Sequence, residues 1–131
     1  MEEVTIILLL KNTAGVLERE LGTYTIADIG QALVKIFAVD KNEGIKVFLE
    51  LSTARDVEDW EFNAILDYYD CEILGAVECG DCFNPTWRCE LEFSEDENEL
   101  AGRINTILYA HMKEIEEVMS VIVDKQDDYE I

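Results

Sequence analysis

The stretch TWRCELEF at residues 86–93, followed by SEDE at residues 94–97, decides the fold. Apolar and polar side chains alternate along the first stretch, which predicts a strand with one buried side and one solvent-facing side. The side chains expected to be buried are Trp87, Cys89, Leu91 and Phe93. Ser94 and Glu97 form a capping-box pattern, so the second stretch is expected to begin a helix. The apolar stripe of this longest helix consists of Leu100, Ile104, Ile107, Leu108, His111, Ile115, Val118, Met119 and Ile122.

Four earlier stretches also have strand patterns. Cys71–Cys79 is expected to form a hairpin with the strand described above, through a loop at Gly80–Pro85. Apolar and mixed residues alternate between residues 45 and 51, which gives that strand one fully apolar face. At the N-terminus, Val4–Lys11 is apolar without clean alternation, as expected of a strand that is buried on both faces. Val16–Ile26 is expected to return antiparallel to it.

A second helix is expected over Ala54–Tyr69, with Thr53 as its N-cap. Its main apolar stripe holds Val57, Trp60, Ala64 and Tyr68. Residues 28–39 fit two structures. Apolar residues recur there at helical spacing, which favours a short helix. The alternative is a strand that pairs with the next one through a turn at Lys41–Gly44, because several side chains in this region have a high strand propensity.

These elements predict an α+β fold. It consists of an antiparallel sheet of about five strands, with two or three helices packed mainly on one of its faces and a long C-terminal helix. The charged tail from Asp124 to Ile131 is expected to fray. The chain has 131 residues, of which 49% are hydrophobic, and this is enough for one core. Residues 1–131 are therefore expected to form a single domain.

The charge balance limits the classes of partner. Thirty acidic residues against ten basic ones give a net charge of −20. Such a surface repels the phosphates of nucleic acids and anionic membranes, whereas it attracts cations and basic proteins. No segment is long enough to span a bilayer, and the first apolar run follows Glu2 and Glu3 rather than basic residues. A cytoplasmic protein with reduced cysteines is therefore expected.

The cysteines form one candidate metal or redox site. Cys79 and Cys82 make a CxxC pair beside the predicted hairpin loop, and Cys89 and Asp81 are the further candidate ligands. Zinc is the metal that such a set would favour. Cys71 is expected at the far end of the hairpin, ~26 Å from the loop at the rise of a strand. Cysteines that are simply packed are the preferred interpretation, and no cofactor is expected.

Neither the single histidine nor the acidic helix face indicates catalysis. His111 falls in the middle of an apolar stripe, so a packed histidine is expected rather than a general base. Asp56, Asp59 and Asp67 share a helix face that can attract Ca²⁺ or Mg²⁺, but such faces are usually only solvated. No nucleophile elbow is present, so no catalytic residue is assigned and no enzyme activity is expected.

Exposed aromatic residues indicate a protein-binding surface. The apolar arc of the helix Ala54–Tyr69 extends over more than half of its circumference, so part of it is expected to stay exposed unless another chain or a further layer covers it. Tryptophan and tyrosine are frequent anchors of protein interfaces. The candidate partner-binding residues are Trp60, Phe62, Leu66, Tyr69, Phe83 and Trp87.

Two segments, RDVEDWEF at residues 55–62 and NPTW at residues 84–87, resemble a family of small uncharacterised proteins from anaerobic Gram-positive bacteria. The resemblance covers most of the chain. It implies a bacterial cytosolic protein, and it implies no catalytic activity because the family has none to carry over.

A non-catalytic interaction or regulatory module fits the charge and the aromatic residues best. Its partner is expected to be a second copy of the chain or a basic protein, and one version is an inhibitor or immunity-type protein that neutralises a basic toxin. The alternative is a metal- or redox-responsive protein that uses Cys79, Cys82 and Cys89.

Overall fold

The fold is α+β, with one sheet and helices on one side of it. The computed structural model describes residues 2–129, apart from residues 13, 15, 42, 74, 80 and 81, and of residues 18, 73 and 79 it describes only the backbone. The strands are β1 (Glu3–Lys11), β2 (Leu17–Ala27), β3 (Leu33–Lys41), β4 (Gly44–Ser52), β5 (Val77–Cys79) and β6 (Thr86–Glu92). The helices are α1 (Asp59–Tyr68), α2 (Glu97–Ile122) and α3 (Gln126–Tyr129).

The sheet is mostly antiparallel, as the sequence predicts. Its strand order is β2-β1-β3-β4-β6-β5, so β3 and β4 lie at the centre. Within the described residues, β1 and β3 are the one parallel pair, and Leu10 lies opposite Ala38 there. The described sheet has six strands rather than about five, because residues 33–41 form a strand.

The helix favoured for residues 28–39 is wrong, and the alternative strand is right. A single 3-10 turn at Gly30–Ala32 leads directly into β3, which pairs antiparallel with β4. Gly30 has φ +59°, a left-handed conformation that a helix interior does not accommodate. Phe37 lies opposite Phe48, and aromatic side chains of this kind pack better on a sheet than on a helix.

The helix α1 begins later than predicted. Thr53 is not its cap, since the Thr53 hydroxyl donates to the carbonyl of Arg55 at 2.6 Å. A capping box between Glu58 and Glu61 starts the helix at Asp59 instead. Ala64 of the predicted stripe is buried together with Ile65, whereas Tyr68 of that stripe is exposed.

The predicted strand Cys71–Cys79 is largely wrong as well. Cys71–Ile73 forms a 3-10 turn, and only Val77–Cys79 pairs with β6. Gly75 has φ +61°, which turns the chain between these two elements. Cys71 is therefore not at the far end of a long hairpin; its side chain packs against the core cluster that contains Trp87.

The helix α2 confirms the predicted apolar stripe, although its cap differs. Asp96 rather than Ser94 caps it, and the Asp96 carboxylate accepts from the backbone N–H groups of Asn98 (3.0 Å) and Glu99 (3.2 Å). Part of the tail does not fray, because residues 126–129 form α3. The Tyr129 hydroxyl of α3 donates to the Asp67 carboxylate of α1 at 2.6 Å.

The core lies between the sheet and the helices, in two clusters. The larger one joins α2 to β1, β2 and β4, with Leu8, Ile26, Leu49 and Leu108 among its fully buried members. The smaller one joins α1, β6 and the C-terminal half of α2. The Asn105 side chain also accepts the backbone N–H of Ala27 at 2.7 Å, which ties α2 to the end of β2.

Candidate interaction surface

The side of the sheet opposite the helices carries side chains that no second layer of described residues covers. Strand alternation defines this side, because Val47, Leu49 and Leu51 of β4 point into the core and their neighbours point the other way. We call it the open face. It consists of Glu3, Thr5, Ile7, Leu9, Lys11, Leu17, Glu20, Thr23, Thr25, Lys35, Phe37, Val39, Lys41, Lys46, Phe48, Glu50, Val77, Arg88, Glu90 and Glu92.

The centre of the open face is an aromatic pair surrounded by cations. Phe37 and Phe48 stack with their ring centroids 5.5 Å apart. The ammonium group of Lys11 lies 4.4 Å from the Phe37 centroid, and that of Lys41 lies 4.9 Å from the Phe48 centroid. The Arg88 guanidinium lies 5.6 Å from both rings. Cations at these distances are attracted to the negative face of an aromatic ring.

Each of three cations on this face also contacts a carboxylate on another strand. Arg88 pairs with Glu50 at 3.2 Å, Lys46 with Glu92 at 3.2 Å and Lys41 with Glu90 at 3.5 Å. At least one member of each pair is about half exposed or more, although the Glu50 and Lys46 side chains are only 11% and 19% exposed, so each pair adds little to stability. As a result, positive and negative side chains are interleaved on this face.

The rim of the open face beside β1 and β2 is apolar and exposed. Ile7 is 55% exposed and Leu17 of β2 is 56% exposed. Next to them lies a cleft of about 450 Å³, whose lining includes Leu9, Lys11 and Phe37. A side chain from another molecule can enter this cleft without any rearrangement of the backbone.

The open face differs in charge from the rest of the molecule. Five of the ten basic residues lie on it, namely Lys11, Lys35, Lys41, Lys46 and Arg88. Only five of the thirty acidic residues do so, namely Glu3, Glu20, Glu50, Glu90 and Glu92. The face is thus close to neutral, whereas the remaining surface carries nearly all of the net negative charge.

A groove of about 470 Å³ lies beside the open face, where β3 and β6 begin. Phe83, which is 81% exposed, and Val34 line it together with the half-buried thiol of Cys82. Asn84 fixes its wall, because the Asn84 side chain accepts from the backbone N–H of Val57 (3.2 Å) and donates to Asp56 (3.0 Å). Phe83 is accordingly the one predicted partner-binding aromatic residue with a fully accessible ring.

The other predicted partner-binding residues lie elsewhere. Trp87 and Tyr69 are 1% and 5% exposed, and their rings stack at 3.8 Å inside the smaller core cluster. Neither belongs to the surface of the chain, so their assignment to a binding surface is wrong. Trp60, Phe62 and Leu66 are half-buried on α1, on the helical side of the sheet. Neither Phe37 nor Phe48 was predicted on a binding surface, because the region of β3 was expected to form a helix.

His111 is fully buried and makes a hydrogen bond through each ring nitrogen. Its Nε2 lies 2.6 Å from the backbone carbonyl of Ser52, and its Nδ1 lies 2.8 Å from the Tyr69 hydroxyl. A carbonyl only accepts, so Nε2 carries the proton and Nδ1 accepts from Tyr69. Burial lowers the pKa of His111 and raises that of Tyr69. The predicted packed histidine is confirmed, since no ring nitrogen is left for proton transfer.

The cysteines that the structure describes are not arranged as a thiolate site. Cys89 is fully buried among core residues, and burial raises the pKa of its thiol to about 11. Burial also raises the pKa of the Cys71 thiol. Such an environment favours packing over metal ligation. The Cys79 side chain and Asp81 lie outside the described residues, so the loop part of this hypothesis stays a prediction.

Two carboxylates of the acidic stripe that was predicted on the helix Ala54–Tyr69 accept hydrogen bonds from other side chains. Asp56 accepts from the Asn84 amide, and Asp67 accepts from the Tyr129 hydroxyl. Across the described part of the chain, no group of three or more His, Cys, Asp and Glu side chains is placed to hold a metal ion.

The comparisons with known proteins assign a family but no activity. A family model described as a family of unknown function (DUF6762) matches residues 1–130. The chain belongs to this family. This agrees with the resemblance to an uncharacterised family noted from residues 55–62 and 84–87. No curated protein and no solved structure matches the chain. Among the described residues, none of the helices has the length and apolar character needed to cross a bilayer.

Proposed function

We propose that this chain is a non-catalytic protein-interaction module of the bacterial cytoplasm, and that it binds its partner through the open face. The observation that carries the proposal is the second side of the sheet, which no layer of described residues covers. Charged side chains lie over its aromatic centre, where Phe48 is 8% exposed, and its apolar rim is exposed. The anaerobic Gram-positive origin suggested by the sequence belongs to the same proposal.

The strand β1 supports this proposal from the sequence side. Ile6, Leu8 and Leu10 face the helices, and Ile7 and Leu9 on the opposite side are equally apolar. Such a pattern is typical of a strand with a packing layer on each side. Helices supply one layer, and Ile7 remains 55% exposed on the other. Burying a side chain of this size is worth roughly 1.5–3 kcal/mol, which a partner on the open face would gain.

The charge distribution of the molecule favours a protein over a nucleic acid as the ligand of the open face. The open face combines apolar rims with paired charges of both signs, which suits the mixed surface of another protein. A nucleic acid would meet repulsion from the surrounding acidic surface. His111, the residue best suited in principle to general-base catalysis, has both ring nitrogens occupied inside the core.

The test compares two glutamate substitutions that each remove one exposed apolar side chain. Ile7→Glu alters the open face, and Val121→Glu alters the outer side of α2, where Val121 is 45% exposed. Tagged chains are expressed in the cells of origin together with an untagged copy of the same chain. We expect Ile7→Glu to reduce the captured protein at least tenfold, whichever protein it is, because a buried carboxylate without a partner is costly.

The Val121→Glu variant is the control and should capture as much protein as the wild type. Both variants are first compared in thermal unfolding, to establish that each is folded. Equal capture by all three chains would contradict the proposal, because the open face would then contribute nothing to binding.

A further inference from the structure

We propose that the occupant of the open face is a second copy of this chain, bound face to face about a two-fold axis. This inference rests on the proposed function, since it names the partner of the same surface. Charge, size, apolar complementarity and the character of the sheet edge each favour it.

The charge pattern favours a copy over other proteins. A basic partner would be drawn to the acidic remainder of the molecule rather than to a face that holds half of the cations. A strongly acidic partner would be repelled by that same remainder. Two copies can approach face to face with cations of one opposite carboxylates of the other, because Lys46 lies opposite Glu92 and Glu50 lies opposite Arg88 on the paired strands β4 and β6. In this orientation the acidic surfaces also point away from each other.

The area of the face suits a stable dimer. The strands β2, β1, β3, β4 and β6 are seven to eleven residues long. With strands ~4.8 Å apart and ~3.3 Å per residue, they span roughly 24 Å by 30 Å, or about 700 Å². A standard protein–protein interface buries about 800 Å² on each partner. The open face and the groove beside Phe83 together are of this size.

The apolar parts of the face complement each other under two-fold symmetry. A two-fold interface brings the same patch of both chains together, so each chain offers a protruding group and a recess at once. Ile7 and Leu17 protrude at the rim, and the cleft beside Lys11 and Phe37 lies next to them. A protruding side chain of one copy can fill the cleft of the other.

The sheet edge is a poorer route to a dimer. The edge strand β2 pairs with β1 through two register irregularities, between Leu8 and Leu9 and between Leu10 and Lys11. It also carries Glu18, Arg19 and Glu20 in sequence. Bulges and charges are the features that prevent edge strands from pairing with another chain. The other edge strand, β5, has only three residues. Face-to-face packing is therefore favoured over pairing at either edge of the described sheet.

The first experiment is sedimentation equilibrium of the full chain over a dilution series. We expect the wild type to dimerise, and Ile7→Glu to raise the dimer dissociation constant at least tenfold. Val121→Glu should leave that constant within twofold of the wild type. Circular dichroism of each variant shows whether a lost dimer reflects the interface or the fold.

The second experiment exploits the two signs of charge. One variant carries Lys35→Glu and Lys46→Glu, and a second carries Glu90→Lys and Glu92→Lys. Each variant alone should have a dissociation constant at least tenfold above that of the wild type, because like charges then meet across the two-fold axis. An equal mixture of the two should recover a heterodimer with a dissociation constant below that of either variant alone.

The outcomes separate this inference from the proposed function. A wild-type chain that stays monomeric up to its solubility limit overturns the dimer. If Ile7→Glu then still abolishes capture of a different protein, the proposed function stands; if it changes no capture, both fail. A dimer that survives both Ile7→Glu and the charge variants uses another surface, and this also overturns the inference.

Discussion

Replacing Trp87 with alanine is expected to lower the free energy of unfolding by about 3–5 kcal/mol. Trp87 is 1% exposed, stacks on Tyr69 and packs against the second core cluster, which includes Ile65 and Ile115. Removing the indole therefore leaves a cavity where α1, α2 and β6 meet. Denaturant unfolding followed by far-ultraviolet circular dichroism measures the change, because the signal does not depend on the tryptophan itself.

Phe83→Ala is the matched control, since the sequence assigned Phe83 and Trp87 to the same binding surface. Phe83 is 81% exposed, so its loss should change the free energy of unfolding by no more than about 0.5 kcal/mol. If both substitutions lowered the free energy of unfolding equally little, Trp87 would not be a core residue. It would then again be a candidate for the binding surface expected from the sequence.

Replacing His111 with alanine is expected to cost about 3 kcal/mol or more. The substitution empties a fully buried site and leaves the Tyr69 hydroxyl and the Ser52 carbonyl without their hydrogen-bond partner. An unsatisfied buried polar group adds its own penalty to that of the cavity. Denaturant unfolding at pH 7.5 is the measurement, and an unchanged stability would show that His111 is not the packed histidine described here.

The same residue predicts a pH dependence with a defined sign. Burial lowers the pKa of His111, so the unfolded chain binds a proton more readily than the folded one. The contribution of neutral His111 to stability is complete above the unfolded pKa of about 6.5 and is lost as the pH falls through the lowered folded pKa. Between pH 6.5 and 5.5 the loss is at most about 1.4 kcal/mol.

A His111→Gln variant isolates this effect, because glutamine can still donate to Ser52 and accept from Tyr69 but does not titrate. The stability difference between the wild type and this variant should shrink as the pH falls from 7.5 to 5.5. A difference that stays constant over this range would contradict the neutral, buried state of His111.

Local patterns predicted β6 and α2 well. The alternation in residues 86–93 and the apolar stripe to Ile122 each bury one side against the same core, so propensity and packing agree there. The conformation of residues 28–39 was harder to predict. Residues 28–39 have apolar residues at helical spacing, and the pairing of Phe37 with Phe48 of the next strand decides the outcome. Such a long-range contact is invisible in a local window.

The sequence predicted exposed apolar and aromatic residues in general, but not where on the fold they lie. The apolar run Val4–Lys11 correctly predicted a strand, but its burial on both faces was wrong for the single chain, because Ile7 is 55% exposed. Binding by the exposed aromatic residues stays a prediction. Assigning Tyr69 and Trp87 to a surface failed because the two rings stack on each other inside the smaller core cluster. The alternation in residues 86–93 had already placed Trp87 on the buried side of its strand. The cations around Phe37 and Phe48 come from three strands, so no single stretch of sequence reveals them.

The central claim is that the open face contacts another protein, and site-specific photo-cross-linking in cells tests it most directly. A photoreactive amino acid replaces Ile7 in the full chain, and the same amino acid replaces Val121 in the control. Irradiation should give a protein adduct from position 7, with the mass of two chains if the partner is a second copy, and little from position 121. An absence of any protein adduct from position 7, with the chain folded and expressed, would contradict the claim.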